Sequence, residues 1–206
     1  MQHRNASKPI YRYNAEISAG SLMPLESKRI AALLLTNPDE SGWRQAIESD
    51  NILQKKTPAT ARRQAALIRK RLNTLNSNAW EMLVTRENEI VNQLLLAAAI
   101  KHSQLLGDFL KSVYAQRQRR LEVSLLPSDW SDFMTECAHQ DDSVMTWSDS
   151  TKAKLQQVIV RSLIEAKYIE NARTLRLTPP NLHPVVRRYL TRNDEIYVLE
   201  CMERTQ

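Results

Sequence analysis

The sequence predicts an all-α fold, and three observations carry that expectation. Glycine is scarce, with only Gly20, Gly42 and Gly107 in 206 residues. The alternating β-branched runs of a sheet protein are missing. Apolar residues return instead at three- and four-residue spacings, the period of helices with one buried face. The expected architecture is an N-terminal helix-turn-helix-like three-helix unit packed on a helical C-terminal part, with a short two-stranded element near the C-terminus. The expected division is an arm over 1–24, the three-helix unit over 25–77 and the helical C-terminal domain over 78–206, winged-helix-like from 128.

Taken in order, Tyr11-Arg12-Tyr13 combines charge with aromatic rings. Such a group can stack on bases or anchor an extended arm on the body. Ser18, Gly20, Ser21 and Pro24 form a turn-rich junction. Leu25 to Leu35 follows as a first helix burying Ile30, Leu33 and Leu34. Asn37-Pro38-Asp39-Glu40 then signals a second helix to about Ser49, with Asn37 as cap, Pro38 at the first helical position, and Trp43 and Ile47 inward. The third runs from Thr57, the cap, and Pro58 to Leu75. Its stripe of Ala61, Ala65, Ile68, Leu72 and Leu75 falls on one face.

Asn78, with Glu81 three residues on, is a capping-box variant that starts a helix to about Lys101. The run Leu94–Ile100 in that helix is apolar on all sides and predicts burial by neighbours. Ser103 to Glu122 predicts a further helix, Pro127 to His139 another with Trp130, Phe133, Met134 and Cys137 inward. Thr151 to Ile169, capped by Ser148 or Ser150, places Leu155, Ile159, Leu163 and Ala166 inside. In the tail, Leu175-Arg176-Leu177 alternates, Val185 to Leu190 is a short helix and Ile196–Leu199 is expected to be extended. Arg187, Arg188 and Arg192 are expected on its surface.

The chain carries 29 Lys and Arg against 23 Asp and Glu, for a formal charge of +6. Between Asn51 and Trp80 stand Lys55, Lys56, Arg62, Arg63, Arg69, Lys70 and Arg71, with no acidic residue among them. The positive charge is therefore concentrated on and just before the third helix. A charged helix face is commonly just a solvated one. Here the face follows two short helices and a Thr-Pro-Ala-Thr start, the layout of a helix-turn-helix unit whose last helix enters the major groove. Arg62 and Arg63 are then placed for base edges, since arginine pairs bidentately with guanine. Lys55, Lys56, Arg69, Lys70 and Arg71 are placed for phosphates. Arg117, Arg119 and Arg120 form a second basic cluster, which also complements the helix dipole at a C-terminus.

Catalytic chemistry is not expected. The three glycines make no phosphate-cradling loop, and no nucleophile elbow is present. His3, His102, His139 and His183 lie far apart, and Cys137 and His139, two apart on a helix, point different ways. Asp149 with Glu165-Ala166-Lys167 imitates a metal-nuclease pattern, but that chemistry needs the residues converging on a cation, and this segment has helical periodicity. The expectation is therefore no enzyme, no cofactor, no metal and no small-molecule substrate. The longest apolar run has seven residues, against the ~20 of a membrane span, and no secretory signal is visible. Two cysteines without metal or redox spacing fit a reducing cytoplasm.

Several stretches resemble the BrxA family of the BREX bacteriophage-exclusion systems. They are LESKRIAALLL from Leu25 to Leu35, DNILQKKTPATARRQAALIRKRL from Asp50 to Leu72, QLLLAAAIKHSQLLGDFLKSVY from Gln93 to Tyr114 and YVLECM from Tyr197 to Met202. The resemblance implies an all-helical protein similar to the antitermination factor NusB. It implies DNA binding and a place in phage defence beside a methyltransferase, ATPases and a phosphatase-domain protein. It supplies no catalytic residue. An inner-membrane assignment once given to this family conflicts with the hydropathy. The leading expectation is a non-enzymatic protein that binds double-stranded DNA and works beside other BREX proteins. A protein–protein adaptor and a NusB-like RNA-binding regulator are the alternatives.

Overall fold

The structure, a computed structural model, describes residues 12–179 and 181–203. A 3₁₀ turn, Glu16–Ala19, leads into α1 (Pro24–Leu35), and α2 (Glu40–Arg44) continues through a π-helical turn, Gln45–Ser49. Next come α3 (Pro58–Leu72), α4 (Ser77–Thr85) and α5 (Asn88–His102). α6 (Gln104–Phe109) passes through a π turn, Leu110–Tyr114, into α7 (Ala115–Arg119). The chain closes with α8 (Pro127–Gln140), α9 (Asp149–Glu165), α10 (Pro184–Arg192) and α11 (Ile196–Met202).

α5 is the centre of the packing. Every residue from Leu94 to Ile100 is buried, which requires neighbours on all sides of that helix. α1, α3, α4, α6, α9, α10 and α11 supply them. α1 packs most extensively on α4, and α3 packs on α5, α1 and the π turn after α2. The core is continuous from Tyr13 through Met202. α8 buries Trp130, Phe133, Met134 and Cys137, with Phe109 edge-on to Phe133 at 5.2 Å between centroids.

The fold is all-α, as the sequence predicts, with four local differences. Asp39, not Asn37, caps α2 by accepting from the Gly42 amide, and Asn37 takes a left-handed turn. Asn76, two residues before Asn78, caps α4. The long helix expected from Asn78 is divided by extended backbone at Arg86 and Glu87. The apolar face runs unbroken across that break, so periodicity alone could not locate it.

The last difference concerns the tail. Ile196–Leu199 is helical, because Val198, Cys201 and Met202 sit at helical spacing and are buried together. Tertiary packing there overrides a β-rich local composition. The two-stranded element reduces, among the described residues, to the isolated antiparallel bridges Ser124–Arg176 and Ile169–Leu177.

The end of the N-terminal arm is fixed at one polar node. Asp108 Oδ2 accepts from Arg12 and from the Tyr13 hydroxyl at 2.8 Å, and Oδ1 accepts from Gln104 at 2.8 Å and the Tyr197 hydroxyl at 2.9 Å. Tyr13 is thus an anchor, not a free ring; Tyr11 lies outside the described residues. Gly107 allows α11 to approach, since a Cβ there would overlap the Tyr197 ring. Among the described residues no helix is long and apolar enough to cross a membrane.

Candidate nucleic-acid interface

α3 forms where its sequence says it should. Thr57 Oγ1 accepts from the Thr60 amide at 3.2 Å and Pro58 occupies the first helical position, which loses no hydrogen bond there. Ala61, Ala65, Leu67, Ile68 and Leu72 are buried against α1 and α5, and Leu75 is buried just beyond the helix end. The opposite face carries Ala59, Arg62, Arg63, Ala66 and Lys70, all exposed, with Arg69 at its edge. At 1.5 Å per residue the cations from Arg62 to Lys70 make a ridge about 12 Å long on a helix of about 22 Å, with two alanines along the same face.

Carboxylates from neighbouring elements flank that ridge. Glu48 accepts from Arg62 at 3.0 Å. Glu40 lies 3.6 Å from Arg69, whose guanidinium also stacks 4.3 Å over the Trp43 ring. Glu16 accepts from Lys70 at 2.8 Å and contacts the His102 ring at 3.1 Å. Lys70 holds the Glu16 carboxyl below its ordinary range against a modest opposing burial effect, and His102 adds to that. Burial, with Arg71 and Lys70 nearby, pushes the His102 imidazole below its usual pKa, so it stands neutral at pH 7. Before α3, Lys55 is bound to Glu26.

Two of the ten basic residues singled out in the sequence point elsewhere. Arg71 is 4% exposed and lies under the fold, donating to the carbonyls of Ser21 and Gly20, so it cannot meet a phosphate. Arg117 is paired with both Glu122 and Asp129. Lys56, Arg63, Arg119 and Arg120 are exposed, and among the described residues no carboxylate stands within ion-pair distance of them. Arg119 and Arg120 lie at the end of α7, beside a turn that exposes Leu121 and Val123.

The nuclease-like residues do not converge. Asp149 and Glu165 are the first and last residues of α9, about 24 Å apart along its axis. Glu165 instead accepts from Ser21 Oγ and the Leu22 amide, both at 2.8 Å. Among the described residues no cluster of three or more His, Cys, Asp and Glu is placed to hold a metal ion. The acidic flank of α3 was the feature that sequence reasoning missed. Glu16 and Lys70 are 54 residues apart, and no local pattern pairs them.

The sequence profile of the BrxA family matches residues 11–194. The chain belongs to the BrxA family. A BrxA relative in Paramagnetospirillum magneticum, described as "BREX protein BrxA", is 40% identical over 192 residues, covering 93% of this chain and 96% of the relative. A second, from Escherichia coli O9:H4, is 37% identical over 188 residues, covering 90% and 88%. A solved structure of an uncharacterized protein from Magnetospirillum magneticum superposes with a TM-score of 0.87 at 38% identity, covering 94% of this BrxA-family chain and all of that one.

Proposed function

We propose that this BrxA-family chain is a non-enzymatic, cytoplasmic, DNA-binding accessory of a BREX phage-defence system. Its outer α3 face meets duplex DNA in the manner of a helix-turn-helix recognition helix. One observation carries the reading: beyond its first turn, the solvent-facing surface of a well-capped helix consists of Arg62, Arg63, Lys70, half-exposed Arg69 and Ala66, with no large apolar side chain to suggest a buried partner face. Exposed ion pairs such as Arg62–Glu48 and Lys70–Glu16 are worth only about 0–1 kcal/mol each, so a phosphate can take the carboxylate's place. Lys56, ahead of the helix, is available for the same backbone.

Binding of a random duplex across a salt series tests this. With about five phosphates neutralised, affinity is expected to fall roughly 500-fold between 50 and 200 mM salt. Replacing Arg62, Arg63, Arg69 and Lys70 together by glutamate is expected to abolish binding and leave the helical circular dichroism intact. A flat salt response, or binding that survives this replacement, overturns the reading.

The adaptor alternative draws on a separate observation. Leu121 is 83% and Val123 69% exposed beside Arg119 and Arg120, a combination suited to an acidic, partly apolar protein surface. Co-purification of other BREX proteins after nuclease treatment, without a mobility shift on DNA, would favour it. For the RNA alternative, which needs exposed aromatics for single-strand stacking, Tyr13 is buried and Tyr11 lies outside the described residues.

A further inference from the structure

The two sides of the α3 ridge are not equivalent. Toward α2, cations and carboxylates are matched one to one: Arg62 with Glu48 and Arg69 with Glu40. On the other side, α3 and α9 form the walls of a cleft of about 610 Å³, floored by the turn that leads into α1. Four cations line it, Lys55 and Arg63 from the α3 side and Lys154 and Arg161 from α9, against two carboxylates, Glu26 and Glu165.

Both carboxylates are already engaged. Glu26 holds Lys55, and Glu165 is held by Ser21 and Leu22 of the floor, with Arg161 Nε at 3.2 Å. Arg161 gives only its Nε to that pair, and its side chain is 75% exposed, so both terminal amino groups of the guanidinium remain for a bidentate acceptor. Arg63 and Lys154 are exposed, with no ion-pair partner among the described residues. Lys154, Gln157 and Arg161 follow one another at helical spacing and form a row about 10.5 Å long. Arg63 and Lys70 form a row of the same spacing on α3.

We propose that this cleft seats the phosphate backbone of one DNA strand, gripped between Arg63 of α3 and Lys154 and Arg161 of α9. The inference rests on the DNA-binding reading and adds a second wall to the contact. The duplex that meets the outer α3 face thus extends over the α9 side, where cations exceed carboxylates. Contacts of this kind set register and orientation, and they respond to salt while being indifferent to base sequence.

Anisotropy titrations of a fluorescent 20-base-pair duplex with the full chain, repeated from 50 to 300 mM salt, test it with two variants. K154A/R161A is expected to weaken binding about 60-fold at 100 mM and to lower the slope of log K against log salt by about two. R188A/R192A, which removes two exposed cations of α10 outside both the cleft and the α3 face, is expected to keep the wild-type slope. An unchanged slope in the first variant, or the loss of slope in the second, overturns the cleft assignment while leaving DNA binding standing. A wild-type chain that fails to bind overturns both proposals. Lys154 is exposed, so K154A alone, with an expected slope change of about one, decides the question should the double variant fold poorly.

Discussion

Replacing Arg71 with methionine is expected to lower the free energy of unfolding by about 3 kcal/mol, read from the urea midpoint at unchanged m-value. Arg71 is the one cation of α3 inside the protein, and its Nη atoms bind the carbonyls of Ser21 and Gly20. Burial pulls the guanidinium down to about 10, with Glu165 opposing, so it stays charged at neutral pH. Methionine fills much of the volume but leaves two carbonyls without a donor and Glu165 with Arg161 as its remaining countercharge. The loop that floors the α3–α9 cleft would lose its tie to α3. Arg62→Met, one turn from the start of the same helix and half exposed, is expected to cost under about 1 kcal/mol. Equal effects in the two variants would contradict this assignment.

Asp108→Ala is expected to cost a similar amount, about 3 kcal/mol, for a different reason. The carboxylate collects donors from three parts of the chain: Arg12 and Tyr13 of the arm, Gln104 of its own helix and Tyr197 of α11. Alanine leaves those donors facing one another in a partly closed space. Burial pushes the Asp108 pKa up, but the hydrogen bonds from Arg12, Tyr13, Tyr197 and Gln104 outweigh it, and the net direction is downward. The sign follows from that depression. The stabilisation is complete above the unfolded pKa of about 4, and is lost as pH falls through the lower folded value. The difference in urea midpoint between wild type and D108A should therefore be largest near neutrality and shrink in acid. A penalty independent of pH would show that packing, not the charge, is what Asp108 contributes.

These two residues mark how far the sequence could be read. α3 was legible down to its cap, because Thr57, Pro58 and the apolar stripe are all local signals. So was α8, where Trp130, Phe133, Met134 and Cys137 declare one face. Arg71 carried a signal that its charge concealed. It stands three residues after Ile68 and four after Leu67, on the flank that turns inward, whereas Lys70 stands 100° away on the outside. Apart from Gln104, the Asp108 node and the glutamates beside α3 join residues 14 to 96 positions apart, and periodicity contains no information about such pairs. Lys154 and Arg161, on the exposed face of α9, carry no local signal that sets them apart. Only the placement of α9 opposite Arg63 gives them a shared cleft.

The two cysteines have a practical consequence. Cys137 and Cys201 are unpaired and buried, and burial pushes both thiols up to about 12. A sealed, protonated sulfur does not react with maleimides or peroxide at ordinary pH. Any labelling therefore counts openings of the native structure, and each chain carries two built-in clocks, one in α8 and one in α11, for timing how these two helices come apart.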